Sequence, residues 1–561
     1  MQVNPKTQEE QEEIERKFFR PNLPTLPKHI GEYPFKVLVA GYFRDENGEK
    51  IRIRMEGDKY FKVNKKGKGV VRNIGPNGDI EISQEEFLLL WPRTEGQRIH
   101  KIRFYIPYEK WTVELDTYPG FKNFYTIEVE FKTVEEARAF IPPAWFGWEV
   151  TDDDRYSSSN LAKDGPPIPE FDLASGVPEL YRMVVEKMES TDSNIIVQIA
   201  GGSASGKTSQ VALRLRKMIG DDSRILSMDD YYRGKAHMDS EKENGNVLNW
   251  DQPKALDLGM LDEHLKMLQI GSPIDKPRYD FKTGERVGRE NFDPARVIIV
   301  EGLFALNNAV LQDGAVKVFV DIGFHGRVLR RLLRDIERTG EKPSDILDYF
   351  SSVVEPMHEK HVQSTMVNAD VVIKNEYQPE VEAERSGLHE VQLKFRANLS
   401  REELRKKGAE RLGMVTQVDH YYNPKDRNLA DTKEALRIRE EGDARILTYK
   451  GPKVKSQFRK RPKFEFEIDT AMTARFLALY GSRTKTIKKK RELYCLKGTI
   501  FSLDEVFVQS WDDDIPLGYF VEIRSTSKSV DEDEIEELVA LLGLDMKDAI
   551  RESYFEIAAA A

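Results

Sequence analysis

The sequence predicts a multidomain protein in which a central α/β region with a parallel sheet lies between two β-rich regions of antiparallel strands (α+β). Three observations support this fold class. The middle of the chain alternates buried strands with helical stretches, the stretches on either side alternate apolar and charged residues, and a short charged segment near the start has a second copy near residue 390. A length of 561 residues leaves room for about three or four domains.

The central region shows the alternation of strand and helix most clearly. Residues 195–200 form an apolar run that two glycines follow, helical stretches come next, and residues 297–300 form another buried strand. Strands that alternate with helices are typical of a parallel sheet. The Pro-rich residues 164–169 and the polar residues 375–388 are predicted to be linkers. We therefore expect domains at 1–172, 173–385 and 386–561.

A phosphate-binding motif follows the first of these strands. Residues 201–208 read Gly-Gly-Ser-Ala-Ser-Gly-Lys-Thr and fit the pattern G-x-x-x-x-G-K-[ST], in which glycines turn backbone N–H groups onto phosphates. Lys207 is expected to reach the outer phosphates of ATP, and Thr208 to ligate Mg²⁺. A plain glycine turn is a poor alternative, because a strand precedes the motif and a helix follows it. The predicted ATP-binding residues are Gly201, Gly202, Ser203, Ala204, Ser205, Gly206, Lys207, Thr208 and Ser209.

Further segments follow the P-loop in a recognisable order. They are Ser-Met-Asp-Asp-Tyr-Tyr-Arg at 227–233, Asn-Trp-Asp-Gln-Pro-Lys-Ala-Leu-Asp at 249–257, Pro-Arg-Tyr-Asp-Phe at 277–281, Val-Glu-Gly at 300–302 and the Arg-rich residues 330–338. With these segments, residues 192–378 resemble the uridine kinase and phosphoribulokinase family. The resemblance implies ATP-dependent transfer of a phosphoryl group to a hydroxyl.

The same resemblance implies roles for individual residues. Asp229 would accept the proton of the attacking hydroxyl, and Glu301 would hold Mg²⁺ with Thr208. Arginine suits the spread charge of a phosphoryl group, so a lid over the phosphates would consist of Arg331, Arg334 and Arg338. The acceptor would be contacted by Asp251, Tyr279 and Arg286. Gly284 stands where the nucleoside kinases of this family place a His, so uridine itself is not implied as the acceptor.

The β-rich regions carry rows of charges of both signs on one strand face. The first region opens with Glu13-x-Glu15-x-Lys17. Such rows are costly in a closed apolar core, so they favour a water-filled barrel that binds a polyanion and a divalent metal over an ordinary solvated edge strand. We expect phosphate to be bound by Arg52, Arg54, Lys65, Lys101 and Arg103, and Mg²⁺ or alternatively Mn²⁺ by Glu13, Glu15, Glu128 and Glu130.

Residues 10–165 thereby resemble the triphosphate tunnel metalloenzymes, also called the CYTH superfamily. Supporting segments are Tyr-Thr-Ile-Glu-Val-Glu-Phe at 125–131 and Trp-Phe-Gly-Trp-Glu-Val at 145–150. The resemblance implies an antiparallel tunnel barrel that hydrolyses triphosphate compounds or, in some members, makes cyclic AMP. Glu13, Glu15 and Lys17 would then belong to its catalytic site.

Residues 388–555 resemble the same superfamily but have fewer carboxylates. Gln392 stands where the first copy has Glu15, and Arg524 stands where it has Glu130. Fewer anions weaken the attraction for a divalent cation, so the first barrel is the expected catalyst. The second is expected to bind a bare polyanion or to act as a scaffold, with Arg437, Arg439, Lys450, Lys489 and Arg491 as its phosphate contacts.

Composition restricts the partners. A net charge of −10 argues against a protein that wraps nucleic acid, because an acidic surface repels a polyanion. The single cysteine, Cys495, excludes an intramolecular disulfide, and no apolar run approaches the ~20 residues of a membrane span. The first residues lack the apolar segment of a secretory signal. We expect a cytoplasmic protein without nucleic-acid or membrane partners, and the sequence does not indicate its oligomeric state.

Several classes of function remain open. The leading one is an ATP- and Mg²⁺-dependent kinase of the nucleoside type joined to triphosphate-tunnel hydrolase domains, with nucleotides, small hydroxyl or phosphorylated compounds and inorganic polyphosphate as substrates or ligands. In a second, the P-loop serves pyrophosphate or nucleotide hydrolysis. In a third, the tunnels act as cyclases or as polyphosphate sensors. Lys207, Asp229 and Glu301 favour an enzyme for the core.

Overall fold

The structure is a computed structural model that describes residues 11–21, 23–24, 26, 28–66, 71–74, 79–121, 124–243, 249–378, 389–452, 459–481, 483–509, 513–525 and 532–560. The chain divides into two compact units, Met1–Pro169 and Glu170–Ala561. Within the described residues, no helix combines the length and the apolar character needed to span a membrane.

The first unit is an antiparallel β structure. Its strands are β1 (Gln11–Arg20), β2 (Phe35–Arg44), β3 (Lys50–Glu56), β4 (Lys59–Lys66), β5 (Val71–Ile74), β6 (Ile80–Ile82), β7 (Arg98–Tyr108), β8 (Trp111–Thr117), β9 (Tyr125–Phe131) and β10 (Trp148–Glu149). Its helices are α1 (Gln84–Leu90), α2 (Val134–Ala139) and α3 (Ser158–Asp164). The strands pair in the order β1-β5-β4-β3-β2-β7-β8-β9, and β9 pairs back with β1, so the sheet closes on itself.

The alternation of the sequence explains how this sheet separates its two faces. Ile51 and Ile53 of β3 are buried in an apolar cluster with Phe43 and Phe87, while Arg52 and Arg54 project from the opposite face because strand side chains alternate. Apolar side chains therefore pack on the outer face of the sheet, and charged side chains lie on its inner face.

The second unit begins with a parallel sheet covered by helices. Its strands are β11 (Glu170–Asp172), β12 (Ile195–Gly201), β13 (Ser223–Ser227), β14 (Ile274–Asp280), β15 (Glu285–Phe292), β16 (Val297–Glu301), β17 (Val316–Asp321) and β18 (Val371–Lys374). The parallel order is β11-β18-β17-β12-β16-β13, and β14 and β15 form a separate antiparallel hairpin. The helices are α4 (Leu173–Ser190), α5 (Leu213–Ile219), α6 (Lys235–Glu243), α7 (Leu258–Gln269), α8 (Phe324–Thr339), α9 (Pro343–Tyr349) and α10 (Glu355–Met357).

The central strands of this sheet are buried in the way that is typical of parallel sheets. Every residue of β12 and β16 is buried, as expected for strands with helices on both faces. The carboxyl ends of β12, β13, β16, β17 and β18 meet at one edge, which is where open α/β sheets bind their ligands.

The same unit continues into a closed antiparallel barrel. Its strands are β19 (His389–Arg396), β20 (Glu410–Tyr422), β21 (Ala435–Glu441), β22 (Ala444–Lys450), β23 (Arg459–Glu467), β24 (Arg483–Leu496), β25 (Thr499–Gln509) and β26 (Asp514–Ser525), which close in the order β19-β23-β22-β21-β20-β24-β25-β26. Its helices are α11 (Arg401–Lys406), α12 (Thr470–Tyr480), α13 (Glu532–Leu542) and α14 (Tyr554–Ala560).

The parallel-sheet region and this barrel share one apolar cluster. Leu329, Leu347 and Phe350 of the former pack with Leu436 and Phe476 of the latter. The two regions therefore form one compact unit, although the sequence predicted a polar linker at 375–388, of which residues 379–388 lie outside the described part of the chain.

Candidate functional site

The P-loop connects β12 to the helical turn Lys207–Ala212 and to α5. Gly206 has a φ of 84°, a left-handed conformation that glycine adopts without strain. A Cβ at this position would lie 2.3 Å from the Nδ2 of Asn375, and the same Nδ2 donates to the carbonyl of Ser205 over 2.6 Å. Asn375, directly after β18, therefore holds the loop from the end of a strand two positions away in the sheet.

Glu301 lies between two hydroxyl groups at the edge of the sheet. The Thr208 hydroxyl donates to its Oε2 over 2.7 Å, and the Ser227 hydroxyl donates to its Oε1 over 2.8 Å. Glu301 is paired with Ile199 of β12 and Ser227 of β13, which places the end of β16 between them. Hydroxyl and carboxylate oxygens are the donors that Mg²⁺ prefers, so Thr208 and Glu301 fit the predicted metal site.

Asp229 lies one short turn beyond β13, close to this oxygen cluster. Burial raises the pKa of Asp229 to about 6, and the negative charge of Glu301 adds to the effect. The adjacent Asp230 is bound differently, because the Lys276 ammonium lies 2.6 Å from its Oδ2. Among the described residues Asp229 has no ion pair with a lysine, and its raised pKa suits a general base.

The predicted lid arginines lie on α8. Arg331 donates from Nη1 to the Ser203 hydroxyl over 3.0 Å, which brings the helix onto the P-loop. Asp335 accepts from the Nε of Arg334 over 2.7 Å and lies 3.2 Å from the Nε of Arg331. The side chain of Arg338 lies outside the described part of the structure.

An aromatic cluster forms the expected acceptor side of the site. The ring of Tyr232 lies 5.3 Å from that of Tyr279 and 5.8 Å from that of Trp250, and Tyr279 lies 5.2 Å from Phe281. Burial raises the pKa of Asp251, which lies beside Tyr349. The cluster combines stacking surfaces with carboxylates, an arrangement suited to a flat, hydroxyl-bearing acceptor.

The predicted acceptor contact Arg286 and the nearby Gly284 both have a clear structural role. Arg286 donates from Nε to the carbonyl of Tyr232 over 2.7 Å and from Nη2 to that of Tyr231 over 2.9 Å, so it supports the backbone behind the aromatic cluster. Gly284 has a φ of 71° in the turn between β14 and β15, where any side chain would be strained. The absence of a His at this position is therefore also a consequence of the turn.

The inner face of the first unit carries a set of charges that we call the first-tunnel cluster: Glu15, Lys17, Arg52, Arg54, Lys101, Arg103, Glu114, Asp116, Glu128 and Glu130. Lys17 lies 2.8 Å from Glu128, and Lys101 lies 2.5 Å from Asp116. Arg103 contacts Glu114, Asp116 and Glu128. The side chains of Glu13 and Lys65 lie outside the described part.

These contacts determine how the first-tunnel cluster can titrate. Burial raises the pKa of Glu114 to about 7. Burial also opposes ionisation of Glu128, but Lys17 and Arg103 outweigh it and hold the pKa of Glu128 well below its usual range. Within the described residues, no group of three or more carboxylate, imidazole or thiol side chains is arranged to hold a metal. Metal binding in this barrel therefore stays a prediction, and it requires carboxylates to exchange their cation partners for the metal.

The inner face of the second barrel carries the second-tunnel cluster: Lys394, Asp419, Arg437, Arg439, Lys450, Lys489, Arg491, Asp504 and Glu522, all buried. Asp419 lies 2.6 Å from Arg437, 2.7 Å from Arg439 and 2.9 Å from Lys489. Arg491 lies 2.5 Å from Asp504 and 2.8 Å from Glu522. The cluster has twice as many cations as carboxylates, so an anion would complete it.

Strand register shows that the two barrels correspond position by position. Glu15 lies opposite Glu130 and Lys17 opposite Glu128, just as Gln392 lies opposite Arg524 and Lys394 opposite Glu522. The correspondence extends to positions that sequence reasoning did not match. Ser502 replaces Glu114, since each lies two residues before the aspartate opposite a tunnel arginine. Asp419 replaces Ala40, since each lies opposite the second arginine of an Arg-x-Arg pair.

Sequence reasoning missed several residues of the candidate sites: Ser227, Tyr349 and Asn375 around the P-loop, and Asp419 and Tyr554 in the second barrel. Tyr554 of α14 donates to Asp504 over 2.7 Å inside the barrel. A signal existed for Ser227 and Asp419, because Ser227 ends an apolar strand and Asp419 interrupts an alternating one. Tyr349, Asn375 and Tyr554 lie far along the chain from the groups they contact, and nothing local marks them.

Comparison with known proteins gives two family matches. The model of the phosphoribulokinase / uridine kinase family matches residues 196–382, and the CYTH domain model matches residues 388–554. A uridine kinase of Staphylococcus epidermidis is 39% identical over 181 residues, which cover 32% of this chain and 86% of that protein. A uridine kinase of Chlamydia pneumoniae is 33% identical over 190 residues, covering 33% of this chain and 84% of that protein.

Solved structures also match parts of the chain. An inorganic triphosphatase is 34% identical and covers 28% of this chain and 97% of that protein, with a TM-score of 0.22. The family assignment depends on the models and the curated relatives. The chain carries a uridine kinase-like domain followed by a CYTH domain, and through the former it belongs to the phosphoribulokinase / uridine kinase family.

Proposed function

We propose that the central domain transfers the γ-phosphoryl group of ATP to a hydroxyl group of a nucleoside-like acceptor. The observation that carries this proposal is the arrangement of Thr208, Glu301 and Ser227 at the mouth of the P-loop, with Asp229 beside it. A P-loop used for binding alone does not need a second carboxylate with a raised pKa next to its metal ligands.

Each group has a defined task in this reaction. Thr208 and Glu301 would hold Mg²⁺, which neutralises charge on the transferred phosphates. Asp229 takes the proton from the acceptor hydroxyl, and Lys207 with the arginines of α8 stabilises the charge that develops on the phosphoryl group. The aromatic cluster of Tyr232, Trp250, Tyr279 and Phe281 would position a planar base by stacking.

The kinase proposal is tested by incubating the full chain with ATP, Mg²⁺ and a panel of nucleosides, tripolyphosphate and pyrophosphate, and by identifying the products with ³¹P NMR. Lys207→Ala should abolish transfer, whereas the exposed Lys217→Ala on α5 serves as the matched control. Asp229→Asn should lower turnover by about 10²- to 10⁴-fold with little change in ATP binding. If Asp230→Asn has that effect and Asp229→Asn does not, the base is wrongly assigned.

We further propose that the first barrel hydrolyses triphosphate compounds with a divalent metal and that the second binds a polyanion without hydrolysing it. Support for the first role comes from its carboxylates: Glu15, Glu114, Asp116, Glu128 and Glu130 share the inner face with cations. Support for the second role comes from the excess of buried cations in the second-tunnel cluster. Release of pyrophosphate or phosphate from ATP without an acceptor would favour a P-loop hydrolase, and cyclic AMP among the products would favour a cyclase.

A further inference from the structure

Helix α8 connects the ATP site to the second barrel. One side of the helix meets the P-loop, where Arg331 donates to Ser203 over 3.0 Å and a Cβ on Gly202 would lie 2.8 Å from the Cδ of Arg327. Arg327 is held in place by a buried ion pair with Glu355, whose carboxylate oxygens lie 2.6 and 2.8 Å from the Nη2 of Arg327. Movement of α8 would therefore change the surroundings of phosphates that bind at the P-loop.

The other side of α8 packs against the second barrel. Val328, Leu329 and Leu332 belong to an apolar cluster that also contains Ile438 and Leu447 of the barrel. The ring of Phe324 lies 5.1 Å from that of Tyr480 in α12. Close-packed apolar surfaces of this kind transmit displacement instead of absorbing it.

A buried polar contact adds specificity to this interface. His325 Nε2 lies 3.1 Å from Glu434 Oε1, and both side chains are 0% exposed. Glu434 also accepts from the Tyr449 hydroxyl over 2.6 Å, and the backbone N–H of His325 donates to Asp426 over 3.3 Å. A buried carboxylate with fixed partners tolerates little displacement, because each lost hydrogen bond leaves a charge uncompensated.

Strand β21 joins this interface to the second-tunnel cluster. Glu434 immediately precedes the strand, and Leu436 and Ile438 face the interface with α8. Arg437 and Arg439 alternate with them and therefore face the tunnel, where both bind Asp419. The two faces of one strand thus contact the lid helix of the kinase and the cation cluster.

We propose that an oligophosphate bound in the second tunnel is a positive effector of ATP binding in the kinase site. The inference rests on the proposed anion-binding role of the second barrel. The bound anion neutralises the repulsion among Arg437, Arg439 and Lys489, which steadies β21 and, through Glu434 and the apolar contacts, holds α8 against the P-loop. Because coupling between two binding sites is reciprocal, ATP must strengthen oligophosphate binding by the same factor.

The test uses the full chain and tripolyphosphate in EDTA, so that no metal-dependent hydrolysis consumes the probe. Calorimetry gives the Kd of ATP with and without tripolyphosphate, and the Kd of tripolyphosphate with and without ATP. Any ATP binding that remains in the Lys207→Ala protein measures ATP bound outside the P-loop. We expect the Kd for ATP at the P-loop to fall by about 5-fold or more, which is the lower end of typical allosteric coupling. Hydrogen exchange in residues 324–339 should slow when tripolyphosphate is added.

Variants separate this coupling from other effects. Glu434→Gln should bring the coupling factor close to one, whereas Glu440→Gln, an exposed carboxylate on the same strand, should leave it unchanged. Arg437→Gln with Arg439→Gln should remove the exchange effect on 324–339. Simple competition at the P-loop would weaken ATP binding and would survive in all of these variants, which would contradict the proposal.

The remaining outcomes are also decisive. Tripolyphosphate that binds the second tunnel without changing the Kd of ATP or the exchange of 324–339 overturns the coupling and leaves the tunnel function intact. If the protein with Arg437→Gln and Arg439→Gln binds as many tripolyphosphate molecules per chain, and as tightly, as the wild-type protein, both the coupling and the tunnel function are overturned. The exchange measurement on the wild-type protein decides the coupling even if the Glu434→Gln protein does not fold.

Discussion

The two barrels share a register but distribute their charges differently. The first-tunnel cluster has equal numbers of cations and carboxylates. Among the described ion pairs, Arg52 is paired with Asp79, and Arg54 is paired with Asp79 and Glu56. The Asp79 side chain is partly exposed. In the second barrel, Gln392, Ser502 and Arg524 replace three carboxylates, while Asp419 is added beneath the two equivalent arginines. The inner-face charges can change in this way without disturbing the apolar outer face, which is why we propose a metal-dependent chemistry for the first barrel and anion binding for the second.

The largest expected effect is on the stability of the second barrel. Asp419→Asn leaves Arg437, Arg439 and Lys489 buried without their shared carboxylate, so we expect the free energy of unfolding to fall by about 3–5 kcal/mol. Asp79→Asn in the first barrel is the matched control, and it should cost less than about 1 kcal/mol because the Asp79 side chain is 34% exposed. Denaturant unfolding measures both, and tripolyphosphate should restore stability to the Asp419→Asn protein. Equal losses for the two variants would remove this distinction between the barrels.

Triphosphate hydrolysis should distinguish the barrels next. Glu13→Gln with Glu15→Gln removes carboxylates from the face that carries Glu130, so metal-dependent release of phosphate from tripolyphosphate should fall by about 10²-fold. The counterpart in the second barrel, Glu390→Gln, should have little effect. EDTA should abolish the same activity. Hydrolysis that depends on Glu390 and not on Glu15 would reverse the assignment of the two barrels.

A designed exchange should convert part of one barrel into the other. Gln392→Glu with Arg524→Glu rebuilds the carboxylate pair that Glu15 and Glu130 form across strands β1 and β9. We expect the affinity of the second barrel for Mn²⁺ to rise by about tenfold, as measured by calorimetry, because two carboxylates replace an amide and a cation. The reverse change in the first barrel, Glu15→Gln with Glu130→Arg, should lower metal affinity. An unchanged affinity in both proteins would show that other inner-face groups bind the metal.

The smallest expected effect is a difference in pH dependence. Burial raises the pKa of Glu114 to about 7, so this carboxyl is neutral below that pH and becomes an anion above it. Oligophosphate affinity of the first barrel should therefore decrease as pH rises through about 7, relative to a Glu114→Gln protein. The second barrel should lack this step, because Arg437 and Arg439 outweigh burial and hold the pKa of Asp419 well below its usual range. Titrations of the wild-type and variant proteins at pH 6 and 8 decide the matter.

Much of the kinase site could be predicted from the sequence because its parts are local. The P-loop is a continuous motif, Glu301 ends the buried strand β16, and Asp229 lies two residues after β13, whose parallel pairing with β16 brings their ends together. The cations inside the tunnels could be predicted from the alternation of apolar and charged residues, since a strand places every second residue on one face. Contacts between distant segments could not be predicted in this way: Asn375 on the P-loop, Tyr349 on Asp251 and Tyr554 on Asp504 have no common spacing.

The sequence by itself determined the order of folds, the phosphate motif and the charge rows, because helix and strand periods and a compact glycine motif are written along neighbouring residues. The tertiary structure alone decided which charges pair, that Asp419 binds three cations, and that the second barrel packs on α8 through His325 and Glu434. These outcomes depend on burial and on the register between strands far apart in the chain. Burial sets the energy of each charge, and register sets its neighbours, and neither is encoded at any single position.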